Sequence, residues 1–293
     1  MMHDASLADA LSHCDQLVRA GDPDRYWATY FAPADKRPYL LALYAFNQEI
    51  ARVRDNVSAP LPGEIRFQWW RDWLDAHAAD NLATDESHPP VAQALAETIT
   101  RFRLPLQPFH DLIDARVFDL YDDMMPSVAD LEGYCGETSS TLFRLASLIL
   151  ADGRDPGGAD AAGHGGVAFA VTGLLRALPW QLRRGQVFIP SDIASRHGLD
   201  RDAILASKTD DTAFRLALAD MRMLAAEHLS RALASINDIM PEARAAMLPL
   251  ATVPFYLKKM SAGDYTPRTS IIDIPQWRRL WVLWRTSVRW RNL

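Results

Sequence analysis

Four charged side chains, Glu49, Arg52, Arg54 and Asp55, crowd into seven residues of the stretch LYAFNQEIARVRDNVS, residues 43–58. One side of the stretch is apolar, with Leu43, Phe46, Ile50, Val53 and Val57 at the three-and-four spacing of a buried helical face. Beside it, Tyr44, Gln48, Ala51 and Asp55 fall at i, i+4, i+7 and i+11. Carboxylates at i and i+4 of such a line could hold Mg²⁺ against a phosphate, because oxygens from one face reach one ion. Asp55 is available, but its i−4 partner is Ala51 and position 52 carries Arg52. One carboxylate makes a poor magnesium site. Two readings stay open, a helix end entering solvent or a face lining a polar cavity. Arg52 and Arg54 could attract a phosphate without metal, although Arg52 points away from the Tyr44–Asp55 line at roughly 100° per residue.

A second stretch, GHGGVAFAVTGLLRALPWQLRRGQVFIP at 163–190, places Gly163, Gly166, Ala170, Gly173 and Ala177 on or near one helical side. Small residues there permit either close helix packing or room for a ligand chain. Arg176, Arg183 and Arg184 follow, and arginines beside a roomy face can bind an anion directly. DLYDDMM gives Asp119, Asp122 and Asp123 at i, i+3 and i+4, a cation-binding spacing set against a solvated acidic helix end. Near the end of the chain, WRRLWVLWRTSVRWRNL (277–293) has a stripe of Trp277, Leu280, Trp281, Trp284 and Val288 flanked by Arg278, Arg285, Arg289 and Arg291, with no acid after Asp273. A basic amphipathic helix with tryptophans suits an anionic membrane interface. The competing reading is a last helix closing the bundle, tryptophans packed and arginines solvated.

These residues need scaffolding, and the chain supplies helix after helix. Helices are expected over 4–20, 23–31, 35–57, 62–79, 88–101, 105–124, 127–151, 159–181, 190–195, 200–206, 210–237, 241–260 and 273–290. Ala and Leu dominate these stretches, and prolines fall near their starts. GQVFIP at 185–190 is the best extended piece. Flanking helices of one character make the glycine-rich 151–166 a loop within one domain. The expectation is a single all-α domain over 1–293, with a basic Trp-rich helix at 273–290.

With 293 residues, 49% hydrophobic and 23% charged, the chain can bury a core. A net charge of −6 argues against a nucleic-acid binder. Two cysteines, Cys14 and Cys135, suit a reducing compartment, and the eight histidines form no zinc pattern. The first residues lack the form of a secretory leader, and no apolar run approaches the roughly 20 residues of a membrane span. The expected location is cytoplasmic, with peripheral contact on the inner face of the cytoplasmic membrane left open.

Three blocks carry a resemblance. LLALYAFNQEIARVRD (40–55) is similar to the first aspartate-rich helix of squalene and phytoene synthases, aliphatic-Tyr-Ala-Phe-x-x-x-x-Asp-Asp-x-x-Asp. DLEGYCGETSSTLFRLASLIL (130–150) resembles their Tyr-Cys segment, and GLLRALPWQLRRGQVFIP their block of Leu-Arg-Asp-x-x-x-Asp, Arg-Gly and a short extended piece. Order and spacing agree over about 25–260, which implies a helical bundle of the isoprenoid (terpenoid) synthase type. That family holds Mg²⁺ and two prenyl diphosphates between two opposed acidic faces. Here the first motif falls on Ala51, Arg52 and Asp55, and the second on Ala177 and Gln181, with Arg176 kept. The resemblance therefore implies a cavity lined by Tyr44, Gln48, Ala51, Asp55, Arg176, Gln181 and Arg184, with no catalytic residue, no metal and no cofactor.

One branch, related to a mitochondrial complex I assembly factor, resembles this chain further through Phe46–Asn47–Gln48–Glu49, Gln68–Trp69–Trp70 and Tyr256–Leu257–Lys258–Lys259. It implies a non-catalytic partner of respiratory complex I or its assembly intermediates, holding an isoprenoid or other lipid, with Trp277, Trp281, Trp284, Arg278 and Arg285 as the membrane or partner surface. The alternative is a head-to-head prenyl transferase with an atypical Mg²⁺ site.

Overall fold

The computed structural model describes residues 2–79, 89–206 and 212–291; the expected helix starts at 88 and 210 lie outside the described residues. Among the described residues every regular element is helical, and a lone β-bridge joins Gly157 to Ile239. Helix α1 (Met2–Gly21), α2 (Pro23–Thr29), α3 (Arg37–Ala51), α4 (Pro60–Ala78), α5 (Pro90–Phe102) and α6 (Gln107–Arg116) form the first part. Then follow α7 (Val128–Cys135), α8 (Thr141–Leu150), α9 (Ala159–Arg183), α10 (Ser191–Arg196), α11 (Arg201–Ala206), α12 (Thr212–Ala234), α13 (Val253–Met260) and α14 (Gln276–Arg291).

Helices α1, α3 and α5 pack on one another, and α9 runs along α12 and against α8. The apolar core has two lobes that share α9: Ala161, Ala162 and Ala168 enter one, and Val167, Val171, Leu175 and Leu178 the other. Phe255 and Leu257 of α13 pack against both. By length and composition α9 could cross a membrane, which corrects the expectation that no stretch could. Its most apolar window is 56% buried inside the bundle, the setting of a core helix.

Helix boundaries depart from the periodicity in instructive places. The helix expected over 35–57 stops at Ala51, and Arg54–Asn56 is a 3₁₀ turn. Asp55 N–H donates to Arg52 O (3.0 Å) and Asn56 N–H to Val53 O (3.1 Å), the tighter bonds that commonly finish a helix. Val53 stays in the core while Asp55 turns outward, so Asp55 does not continue the α-helical line of Tyr44, Gln48 and Ala51. The expected 127–151 helix begins on a capping box, Ser127 with Asp130, and carries a π-helical insert at Gly136–Ser140 between α7 and α8. Gly166 of α9 faces this insert so closely that a Cβ would overlap the Ser140 backbone, and Ser140 Oγ donates to Gly163 O at 2.7 Å. A Cβ at Gly163 or Gly173 would meet nothing within 4 Å. On the small-residue side of α9, Gly166 is thus closely packed, while Gly163 before it and Gly173 after it face open space. Residues 241–252 of the expected 241–260 helix form a 3₁₀ segment before α13, and GQVFIP buries Val187, Phe188 and Ile189 without forming a strand.

Cys14 and Cys135 are free and buried, and burial pushes both thiols up to about 12. Negative Glu49 adds to the shift at Cys14, whereas Arg116 opposes it at Cys135. An unfolded thiol titrates near ~8.5, so the native state keeps these groups neutral where the open chain ionises them. Their stabilisation is complete below that value and is lost as pH climbs toward about 12. Iodoacetamide at pH 8 will leave both thiols unmodified in the native protein and label both in urea; rapid native labelling read by mass spectrometry would contradict the buried placement.

Candidate functional site

Three of the residues expected to share a cavity, Tyr44, Gln48 and Arg176, are joined through α2 and its N-cap, a seven-residue helix that the sequence does not mark as special. Its N-cap is Asp22, whose carboxylate accepts from Arg25 N (3.0 Å) and Arg25 Nη1 (2.8 Å). The Arg25 guanidinium lies 4.5 Å from the Phe169 ring, 5.5 Å from Tyr44 and 5.7 Å from Phe143, and so sits between α9, α3 and α8. Cation–π contacts with these buried and half-buried rings retain a charge that Asp22 already balances. Tyr44 is buried, and loss of water pushes its hydroxyl up to about 12 against the opposing pull of Arg25.

Asp24, next to Arg25 and 2% exposed, is the most heavily engaged carboxylate in this region. Its Oδ1 accepts from Arg279 Nε (2.7 Å) and Tyr256 Oη (3.0 Å), and its Oδ2 lies 3.1 Å from Arg176 Nη1 and 2.9 Å from Tyr256 Oη. Arg176 also lies over the Tyr256 ring at 3.8 Å. Arg279 Nη2 donates to Asp273 Oδ1 at 2.7 Å. Helices α2, α9, α13 and α14 are therefore tied together by one carboxylate, two guanidiniums and a phenol. Arg176 is kept as expected, but it is committed to Asp24 rather than left for a ligand.

Gln48 turns toward α1: with its amide oriented to fit, the side-chain N donates to Leu17 O (3.1 Å) and the O accepts from Asp22 N (3.2 Å). Ala51 is half-buried. Arg52 Nη2 lies where a Cβ on Gly21 would stand, so this cation covers the C-terminal end of α1, where the helix dipole favours positive charge. Asp55 and Arg184 are brought together as an exposed ion pair between the turns that follow α3 and α9. Arg54 pairs alongside with Asp122 at 3.4 Å. Gln181 is buried, and its main-chain carbonyl accepts from Arg184 N (3.0 Å) and Gln186 N (2.9 Å).

The acids of DLYDDMM do not share a helical face, because α6 ends at Arg116 and a 3₁₀ turn ends at Leu120. Asp119 is buried and accepts from Arg116 Nη1 (2.9 Å) and Tyr134 Oη (2.8 Å), while Asp122 belongs to Arg54. Among the described residues no three His, Cys, Asp or Glu side chains are placed to hold a metal together.

The C-terminal helix combines features of both readings. Arg279, Val282, Leu283, Ser287 and Trp290 of α14 are buried against the bundle, while Trp277, Trp281 and Trp284 stay 67%, 46% and 56% exposed. Arg278 lies 5.3 Å from the Trp277 ring and Arg285 5.4 Å from Trp281. The helix closes the bundle and still presents its tryptophan stripe outward. Asp24, Arg25, Tyr256 and Arg279 were missed as site residues. The available signals were weak: two charges inside a short apolar helix for the first pair, and a second α14 stripe through 279, 282, 283 and 290 for Arg279.

The sequence profile described as squalene/phytoene synthase matches residues 18–285. The chain belongs to the squalene/phytoene synthase family. NADH dehydrogenase (ubiquinone) complex I, assembly factor 6 of Rattus norvegicus is 32% identical over 259 residues, covering 88% of this chain and 76% of that protein. Among solved structures, a dehydrosqualene synthase in complex with ligand superposes with a TM-score of 0.80 at 17% identity, covering 99% of this chain and all of that one (100%). Squalene synthase HpnC from Alicyclobacillus acidocaldarius gives 0.73 at 21% identity, covering 87% and 94%. The all-α bundle is therefore the isoprenoid-synthase type.

Within a squalene/phytoene synthase fold, the metal positions can be tested on this chain's own donors. Ala51, Arg52, Ala177 and Gln181 offer no carboxylate, and Asp55 is engaged by Arg184. Arginine at position 52 would repel a cation rather than hold one. These residues do not fit a Mg²⁺ ion clamped on a diphosphate.

Proposed function

We propose that this squalene/phytoene synthase homologue is non-catalytic and acts in the assembly of respiratory complex I at the inner face of the cytoplasmic membrane. Supporting the assembly role is the 32% identity with a protein named as a complex I assembly factor, against 17–21% with the synthases of known structure. The observation that carries the loss of catalysis is the Asp55–Arg184 pair. The remaining metal-motif acid is neutralised by a guanidinium from the other motif's end. An isoprenoid or other lipid is the proposed occupant of the space beside Gly173, where small residues leave room. The tryptophans of α14 provide the peripheral membrane contact.

Removing this chain from its cells will lower the amount of fully assembled complex I on native gels and leave subassemblies. Wild-type protein and Asp55→Ala will restore it equally, because the exposed pair contributes no more than about 1 kcal/mol and no chemistry. Unchanged complex I would sink the assembly role. Rescue by wild type but not by a folded Asp55→Ala protein would sink the non-catalytic reading.

A further inference from the structure

We infer that the groove between α13 and α14 receives the phosphate headgroup of an anionic phospholipid in a bilayer, an inference that rests on the membrane contact proposed above and assigns its chemistry. The groove has a volume of about 540 Å³, within the ~300–1,000 Å³ of small-molecule sites, and is lined by Lys258, Lys259, Arg278, Trp277, Trp281 and Ile274 among others. Three cations therefore stand around an apolar floor. Lys259 Nζ donates to the Asp273 carbonyl at 2.6 Å, which ties α13 to the segment leading into α14 and holds the walls in place. The Asp273 carboxylate is turned to Arg279, so its charge is already matched. Asp264, in the turn after α13, is the other acid near in sequence.

Charge selects the occupant. The whole chain carries −6, yet α14 contains five arginines and no acid, and only Arg279 among the five is buried against the core. Arg278 and Arg285 lie against exposed tryptophan rings, which leaves guanidinium N–H groups beside apolar surface, the combination that a phosphate attached to acyl chains satisfies. A soluble anion would use the cations and leave Trp277, Trp281 and Trp284 in water. A bilayer uses both, with the rings at headgroup depth. Because Arg279 anchors the same helix on Asp24, the groove is presented by a fixed element rather than a loose tail.

The intact protein should float with vesicles of phosphatidylcholine containing 30% phosphatidylglycerol at least about tenfold more tightly than with phosphatidylcholine only, with a blue shift of tryptophan emission. Lys258→Glu with Arg278→Glu should weaken that binding by about tenfold or more, while Arg289→Glu with Arg291→Glu, the same charge change outside the groove, costs less than about threefold. Trp277→Ser with Trp281→Ser should reduce the blue shift to the part that Trp284 contributes; circular dichroism verifies the fold of each variant. Equal losses from the two charge pairs would overturn the groove in favour of diffuse attraction. Saturation by free glycerol phosphate at the same affinity as vesicles would overturn it in favour of a soluble ligand. Binding unaffected by the groove variants would sink this inference and leave the membrane contact standing, whereas no vesicle binding by folded wild type would sink both. Complex I rescue tests the assembly role separately.

Discussion

Asp24→Ala will cost about 3–5 kcal/mol of folding stability, the loss expected when one side of a buried ion pair is removed. The carboxylate is 2% exposed and the Arg279 side chain that donates to it is 4% exposed. Without it, Arg279 keeps only Asp273 and a 3.3 Å contact to Tyr256 Oη, and Arg176 keeps only the Tyr256 ring among these partners. Against a total of about 5–15 kcal/mol for an ordinary domain, that loss leaves a marginal protein. The cost reflects stranded cations rather than the net worth of the pair, which makes a sharper expectation available. Asp24→Ala combined with Arg279→Met should recover at least about 1 kcal/mol relative to the sum of the single variants, since nothing buried remains unmatched on α14. Urea denaturation of the four proteins measures this. A loss below about 1 kcal/mol for Asp24→Ala, or strict additivity, would show that the cluster does not bind α14 to the bundle.

With farnesyl or geranylgeranyl diphosphate and Mg²⁺, the purified protein will form no condensed C30 or C40 product. Ionising a prenyl diphosphate releases a group of about −3 charge, and electrostatic stabilisation of that charge is usually the largest catalytic contribution. Loss of one stabilising donor typically costs about 10²–10³-fold in rate. Here four of five motif acids are replaced, by Ala51, Arg52, Ala177 and Gln181, so a deficit beyond about 10⁴-fold follows even with heavy non-additivity. The tertiary structure deepens the deficit, because Asp55 is paired with Arg184 and Arg176 with Asp24. Extraction and mass analysis of the products decide it; condensed hydrocarbon above a boiled control would reject the non-catalytic reading.

Much of the architecture was legible from periodicity. The apolar row of α3, Leu43, Phe46 and Ile50, is buried as expected, although the helix buries Tyr44, Asn47 and Gln48 beside it as well, and the Ala- and Leu-rich stretches are helices. Reading failed where two satisfactory local solutions competed. On α14 the more apolar stripe, Trp277–Trp281–Trp284, is the outward one, and the stripe with an arginine at its head faces the core. Arg279 can be buried because Asp24, 255 residues earlier, is there to match it, and no local pattern carries that fact. Likewise the Tyr44–Gln48–Ala51–Asp55 line holds only while the backbone stays α-helical, and it tightens to a 3₁₀ turn before Asp55.

What the sequence determined by itself was inventory: helical segments, their apolar faces, family blocks in order, and the absence of carboxylates at four motif positions. These are properties of residue type and spacing, which short-range sterics and hydrophobic periodicity convert directly into local structure. Only the tertiary structure decided which charges are spent on one another. Asp24 with Arg176 and Arg279, Arg25 among three aromatic rings, and Asp55 with Arg184 are all pairings between distant segments. A buried charge is tolerable only beside its counter-charge, and that partner is chosen by how helices pack, not by neighbours in the chain.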